Sequence, residues 1–281
     1  MTVSLRVGRI PYANLVPIFH ALRETRAGAE ASFIDGHPSE LNILLRSGGL
    51  DISPNSSIQY AAAPDLYLVC PEISIAAHTR VMSVLLLSNM PPKELPEEPL
   101  AVTAASDTSV ALLDILLAES LGRRTLLERT TLPPEKALRK YPAYLSIGDE
   151  ALRASVSRMA PHITDLGNWW TRETGKPFVF SLWIASRKSW EGAQRESLGR
   201  FSAALLQSKR NAQESIQQGR YPWGGPGWMS AKLREEYWQC LSYDLDEEIE
   251  GLALFYRLAE KYGWIPSAPS LRFLEPAPRE I

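Results

Sequence analysis

Four short runs of small polar residues stand where this chain could do chemistry: Tyr12-Ala13-Asn14, Asn55-Ser56-Ser57, Ser106-Asp107-Thr108-Ser109 and Gly148-Asp149. Each follows an apolar segment that reads as a strand and precedes a segment that reads as a helix. In open α/β sheets, ligands collect outside the carboxyl ends of the strands. A helix that begins there offers unpaired N–H groups and a partial positive charge, which suit a carboxylate. Hydroxyls from Ser and Thr add further donors. The same residue types are favoured helix caps, so capping accounts for any one turn taken alone. Four such turns, shared between two predicted domains, point to a common cleft. Ser106-Asp107-Thr108-Ser109 is the strongest single candidate, with three hydroxyls in four residues. Asp107 argues mildly against it, because its own carboxylate could occupy the anion site.

Other chemistries find less support. His20 lies on a predicted amphipathic helix, His162 near a loop, and His37 before Pro38 at a turn. His78 is the one histidine placed to be tested as a base. Arg9 and Arg80 could pair with a ligand carboxylate, or stand exposed with no ligand. Trp169, Trp170 and Trp183 offer aromatic surface, with core packing as the default reading. No Ser/His/Asp triad, Gly-rich phosphate loop or HExxH stands out. Cys70 and Cys240 form no CxxC or Cys/His cluster, so two reduced thiols are expected and no metal.

The elements that would carry these turns alternate. Residues 5–10, 31–34 and 50–52 read as strands. Helical spacing marks residues 15–22, a helix opened by Pro38 and stopped by Gly48-Gly49, and residues 58–63. Residues 73–88 read as one long extended segment, and residues 90–99 as a Pro-rich surface linker. A second alternating unit follows: strand 100–103, helix 108–119, strand 144–147 and helix 150–159. Residues 177–185 are again extended, and from about Trp190 the chain reads as nearly all helix. The last long helix carries Asp244 and Glu247 in a capping-box arrangement and Gly263 as a stop. Alternation of this kind predicts an α/β fold with mainly parallel sheets. We expect domain one to take residues 1–88 and 186–281, and an inserted domain two to take 99–178. Residues 89–98 and 179–185 are expected as crossovers, with the ligand cleft between the domains.

Composition limits the partners. Of 281 residues, 45% are hydrophobic and 22% charged, which is globular rather than disordered. The net charge of −2 leaves no basic field for nucleic acid or an anionic membrane. The N-terminus lacks a basic region followed by an apolar one, and no apolar run is long enough to span a bilayer. A soluble, cytoplasmic protein is expected.

An ordered set of motifs carries a family resemblance. It runs Val7-Gly8 and Tyr12-Ala13-Asn14; Gly36-His37-Pro38-Ser39-Glu40-Leu41-Asn42; Gly49-Leu50-Asp51-Ile52; and Ser56-Ser57-Ile58-Gln59-Tyr60. It continues with Val81-Met82-Ser83-Val84, Leu87-Ser88, Ser106-Asp107-Thr108-Ser109, and Ile147-Gly148-Asp149-Glu150-Ala151-Leu152. Asp165-Leu166-Gly167 and Thr174-Gly175-Lys176-Pro177-Phe178-Val179-Phe180 complete it. The chain resembles the chorismate dehydratase family, which opens the futalosine route to menaquinone. The resemblance implies a two-domain, type II periplasmic-binding-protein-like fold used as a cytoplasmic enzyme. It implies a carbon–oxygen lyase that converts chorismate to 3-[(1-carboxyvinyl)oxy]benzoate and water, without metal or organic cofactor. Asn14 and Ser83 match motifs expected at the reacting edge of the ring. Ser56, Ser57, Ser106, Thr108, Ser109, Gly148 and Asp149 match those expected to bind the substrate. The chain departs from the family at Ala13, commonly a larger apolar residue, and at Val16, more usually small or polar; both bear on pocket shape near Asn14. The Ser-Pro-Cys-Pro-Asn-Asp character of the related 1,4-dihydroxy-6-naphthoate synthases is absent. A solute receptor without catalysis and a regulator's effector domain are the competing classes.

Overall fold

A computed structural model describes residues 4–275. The strands are β1 (Arg6–Arg9), β2 (Ser32–Asp35), β3 (Ile52–Ser56), β4 (Tyr67–Ala77), β5 (Val84–Ser88), β6 (Leu100–Thr103), β7 (Leu127–Thr130), β8 (Ala143–Ile147), β9 (His162–Asp165) and β10 (Phe178–Ser186). The helices are α1 (Val16–Arg23), α2 (Arg26–Glu30), α3 (Pro38–Ser47), α4 (Ser57–Ala62), α5 (Asp107–Leu121) and α6 (Pro134–Lys140). They continue with α7 (Gly148–Val156), α8 (Leu166–Thr174), α9 (Arg187–Glu191), α10 (Arg195–Gln217), α11 (Ala231–Cys240) and α12 (Glu248–Lys261).

Two five-stranded sheets result, ordered β2-β1-β3-β10-β4 and β7-β6-β8-β5-β9. Their inner strands β3, β5, β6 and β8 are buried on both faces, as expected of sheets covered by helices on both sides. The edge strands β2, β7 and β9 are only partly buried. Each sheet has one long-range antiparallel return. In the first, β10 runs antiparallel to β3 and β4. In the second, β5 runs antiparallel to β8 and β9. The α/β architecture with two domains agrees with the sequence reading.

Strand pairing shifts the expected passages between the sheets. The segment read as one extended run is two strands in different sheets, β4 and β5, so the chain crosses between Ala77 and Val84 rather than at 89–98. Residues 179–185 are not a crossover: they form the body of β10, in the middle of the first sheet. Both errors share a cause. An apolar extended run does not state which sheet will pair with it.

Helix α5 joins the two halves. Ten of its residues, Thr108 to Leu117, are buried, as befits a helix covered on every side. It packs against α8 of its own half and against α4, α12 and β10 of the other. Its buried Asp114 accepts from Arg124 Nη2 at 2.6 Å and from Trp264 Nε1 at 2.7 Å. The expected Asp244/Glu247 capping box does not form. Asp244 instead accepts from buried Lys209 Nζ at 2.7 Å, and Glu248 accepts from Ser242 Oγ at 2.6 Å. Gly263, at φ 78°, does follow the helix as expected.

Candidate active site

The carboxyl ends of strands from both sheets meet at a small cleft of about 60 Å³. From the first sheet come the single 3₁₀ turn Ala13–Leu15 after β1, Ser56 at the end of β3, Ile75 of β4, and Phe180 and Ser181 of β10. From the second come Val81, Ser83 and Val84 before and within β5, Ser106 and Ser109 at the start of α5, and Ile147-Gly148 at the start of α7.

Six of the sequence-predicted residues line this cleft: Asn14, Ser56, Ser83, Ser106, Ser109 and Gly148. Asn14 Oδ1 is buried without a hydrogen-bond partner, a state that costs about 1–3 kcal/mol until a donor arrives. Ser56 is 4% exposed, and no protein partner engages its hydroxyl among the described residues. Ser106 caps α5, accepting from Ser109 N at 3.3 Å and donating to Ser109 Oγ at 3.0 Å. The start of that 15-residue helix therefore faces the cleft with its hydroxyls aligned.

The other three occupy the seam between the halves. Thr108 Oγ1 accepts from Ile58 N at 3.1 Å and lies 3.3 Å from Ser57 Oγ, which itself donates to Val179 O at 2.8 Å. Asp107 accepts from Gln59 Nε2 at 2.7 Å. On the opposite flank, Asp149 Oδ1 accepts from Ala13 N at 3.0 Å. A Cβ on Gly148 would lie 3.0 Å from the Tyr12 ring, and Gly148 holds φ at 62°. Arg153 stacks on Trp228, 4.2 Å from the ring centre. Ser57, Thr108 and Asp149 thus bind one half of the protein to the other and do not line the cleft.

Ser83 is held from three directions. Asp165 accepts from Val81 N at 3.0 Å and Met82 N at 2.7 Å, fixing Met82 at φ 61°. Gly148 N donates to Ser83 O at 2.8 Å. Tyr237 Oη donates to Ser83 Oγ at 2.9 Å. A left-handed, non-glycine residue held by such a network is the kind of local strain that gathers at working sites.

The lining carries no Asp, Glu, His, Lys or Arg among the described residues. Its one titratable side chain is Tyr12. Burial, helped by the nearby carboxylates of Asp149, Glu150 and Glu40, pushes that hydroxyl up to about 12. Burial also raises the Asp149 carboxyl, against the pull of the Ala13 N–H and Arg153. His78 lies outside the lining, with Nε2 2.8 Å from Glu248 Oε1. Arg9 pairs with Asp35, and Arg80 borders a separate depression with Asp165 and Asn168. Trp170 and Trp183 are fully buried core residues.

Sequence reasoning missed Ser181 and Tyr237, and quoted Asp165 only within a motif, without a role. Ser181 had a signal, being the single polar residue within the apolar run 178–185. Tyr237 had none, because nothing local marks which of many aromatic residues will stand behind Ser83.

Two α/β lobes, each with an antiparallel return strand, facing one another across a polar cleft make a fold like that of type II periplasmic binding proteins. Solved structures agree. An Archaeoglobus fulgidus protein superposes with a TM-score of 0.68 at 18% identity, covering 93% of this chain and 98% of that one. A Candida albicans protein described as having the generic periplasmic binding protein fold gives 0.59 at 15% identity, covering 99% of each chain. The chain belongs to the menaquinone biosynthesis family, whose profile matches residues 5–261. It is 32% identical over 237 residues to the chorismate dehydratase of Thermus thermophilus, covering 75% of this chain and 84% of that protein. Among the described residues, no helix is long and apolar enough to cross a membrane.

Proposed function

We propose that this protein is a cytoplasmic carbon–oxygen lyase that dehydrates chorismate to 3-[(1-carboxyvinyl)oxy]benzoate, the first step of menaquinone biosynthesis by the futalosine route. Family membership and the Thermus thermophilus relative support the reaction. The observation that carries the reading into the site is a charge-free cleft containing a buried, unpartnered amide oxygen, Asn14 Oδ1.

Chorismate brings two carboxylates and a ring hydroxyl. Loss of that hydroxyl and the neighbouring ring proton completes a benzene ring, so the reaction is strongly downhill. The protein's task is to hold the substrate, align the leaving groups and exclude water. Ser56, Ser106 and Ser109, with the start of α5, hold carboxylate through N–H and O–H donors. Asn14 Oδ1 accepts from the ring hydroxyl, and Ser83 donates at the same edge. No side chain of the lining is a competent base near neutral pH, Tyr12 being held protonated. The substrate's own side-chain carboxylate, adjacent to the ring proton, takes that role. Ser57, Thr108, Gly148 and Asp149 act by closing the cleft around the substrate.

The test is purified protein mixed with chorismate and followed by liquid chromatography and mass spectrometry. Loss of one water, at a rate proportional to protein, is expected. Binding without turnover would instead mark a receptor. Within the enzyme reading, Asn14→Ala should lower kcat by roughly 10²-fold or more. Unchanged turnover would remove Asn14 from the mechanism.

A further inference from the structure

We infer that Tyr237 is a positioning residue for this reaction: its hydroxyl donates to Ser83 Oγ and so frees the Ser83 proton for the substrate. The inference rests on the dehydratase reading and deepens it. Tyr237 is fully buried on α11, and Ser83 Oγ, at 2.9 Å, is its hydroxyl's one partner among the described residues. A buried phenol whose proton had no acceptor would leave an unpaired donor, which is costly. The Tyr237 hydroxyl is therefore the donor and Ser83 the acceptor.

That direction settles what Ser83 can offer. Its lone pair is engaged, and among the described residues its own proton has only Val81 O, at 3.3 Å, well beyond the usual 2.7–2.8 Å of an O–H···O bond. A ligand atom in the cleft outcompetes so long a contact. The neighbouring aromatic residues reach the other half of the site. Trp238 Nε1 donates to Ala13 O at 2.8 Å, and Tyr243 Oη donates to Asn14 O at 2.7 Å. Asn14 belongs to the first sheet's turn, and Ser83 to the passage into the second. Helix α11 and the chain just after it thus hold both groups in one frame, from behind the cleft and without lining it.

The experiment is a cycle on the intact protein with chorismate as substrate. Tyr237→Phe should lower kcat about 10- to 100-fold with KM within about threefold, the scale of losses from misplaced groups. Ser83→Ala should lose at least as much, and the double variant should match Ser83→Ala within about twofold. Wild-type kcat in Tyr237→Phe, or losses that multiply in the double variant, overturn the inference. Wild-type turnover in Ser83→Ala overturns it together with the role given to Ser83. A second readout needs neither turnover nor a folded Tyr237→Phe protein. In tyrosine-labelled protein without substrate, the Tyr237 hydroxyl proton resonance should shift on Ser83→Ala. An unmoved resonance overturns the contact even if the wild-type protein leaves chorismate unchanged, an outcome that would separately end the dehydratase reading.

Discussion

The chain passes between its two sheets twice, and the two passages are built differently. The outward one, residues 78–83, places Met82 at φ 61° and delivers Ser83 to the cleft. The return one, residues 175–177, places its left-handed turn on Gly175 at φ 67°. A left-handed backbone costs glycine little and a residue with a Cβ about 1 kcal/mol or more. The return passage uses the easy residue and is held by contacts to α8 and α12. Trp170 Nε1 donates to Pro177 O at 3.2 Å, and Lys176 pairs with Glu250 at 2.6 Å. The outward passage uses a strained residue and is pinned by a half-buried carboxylate, Asp165, that accepts from the N–H groups of Val81, Met82 and Asn168. The left-handed turn falls on a residue with a side chain where the neighbouring Ser83 must be aimed, and on glycine where the chain only has to get across.

The comparison can be broken most severely at the return passage. A Cβ at Gly251 would lie 1.9 Å from Pro177 O, a backbone atom that cannot swing aside. Gly251→Ala should cost about 3 kcal/mol and lower Tm by on the order of 10 °C, with the kcat of the folded protein unchanged. Calorimetry and initial rates together test this; a lost kcat in fully folded protein would show that the return passage also aims a catalytic group.

Asp165→Ala is the counterpart on the outward passage. It should cost about 2 kcal/mol in urea unfolding, because the N–H groups of Val81, Met82 and Asn168 lose their acceptor, and kcat should also fall about tenfold as Ser83 drifts. Stability lost with kcat intact would reduce Asp165 to a helix cap. A smaller effect is expected at the seam: Asp149→Ala removes the bond to Ala13 N, worth about 1 kcal/mol, and should raise KM about fivefold with little change in kcat. Equal loss in kcat and kcat/KM would instead give Asp149 a part in the chemical step.

The smallest effect concerns pH. Burial raises the Asp165 carboxyl, although the N–H groups of Asn168, Met82, Val81 and Gly167 pull it back. Relative to the unfolded chain near pH 4, the folded state then favours the protonated form. Its contribution to stability is complete below that pH and is lost as pH rises through the raised folded value. The stability difference between wild type and Asp165→Asn should therefore shrink from pH 4 upward. A difference that grows over that range would mean the backbone N–H groups outweigh burial.

Much of this was legible in the sequence, and unevenly so. Strand β1, helix α3 with Pro38 at its start and Gly48 at its end, and the Ser106 cap of α5 follow from patterns a few residues long. So does the expectation that the four polar turns share one cleft. Strands β7 and β9 and helix α6 went unread, because they are short and their apolar periodicity is weak, whereas α8, with Leu166, Trp169 and Trp170 buried at helical spacing, was read only as aromatic surface. Asn14, Ser83 and Ser106 were recognisable as candidates from an ordered motif set. That Ser57, Thr108 and Asp149 close the seam was not, since the same hydroxyl or carboxylate at a helix start serves a ligand or a neighbouring lobe equally well.

By itself the sequence determined most of the elements, their order, the polar turns and the family, because helix caps, glycine stops and apolar periods act over one or two turns of chain. Tertiary structure alone decided which sheet claims β5 and β10, which serines face the cleft and which face the other lobe, and which tyrosine stands behind Ser83. Those outcomes depend on how segments far apart along the chain are set against each other, as in the 154-residue separation of Tyr237 from Ser83, and no local pattern encodes that placement.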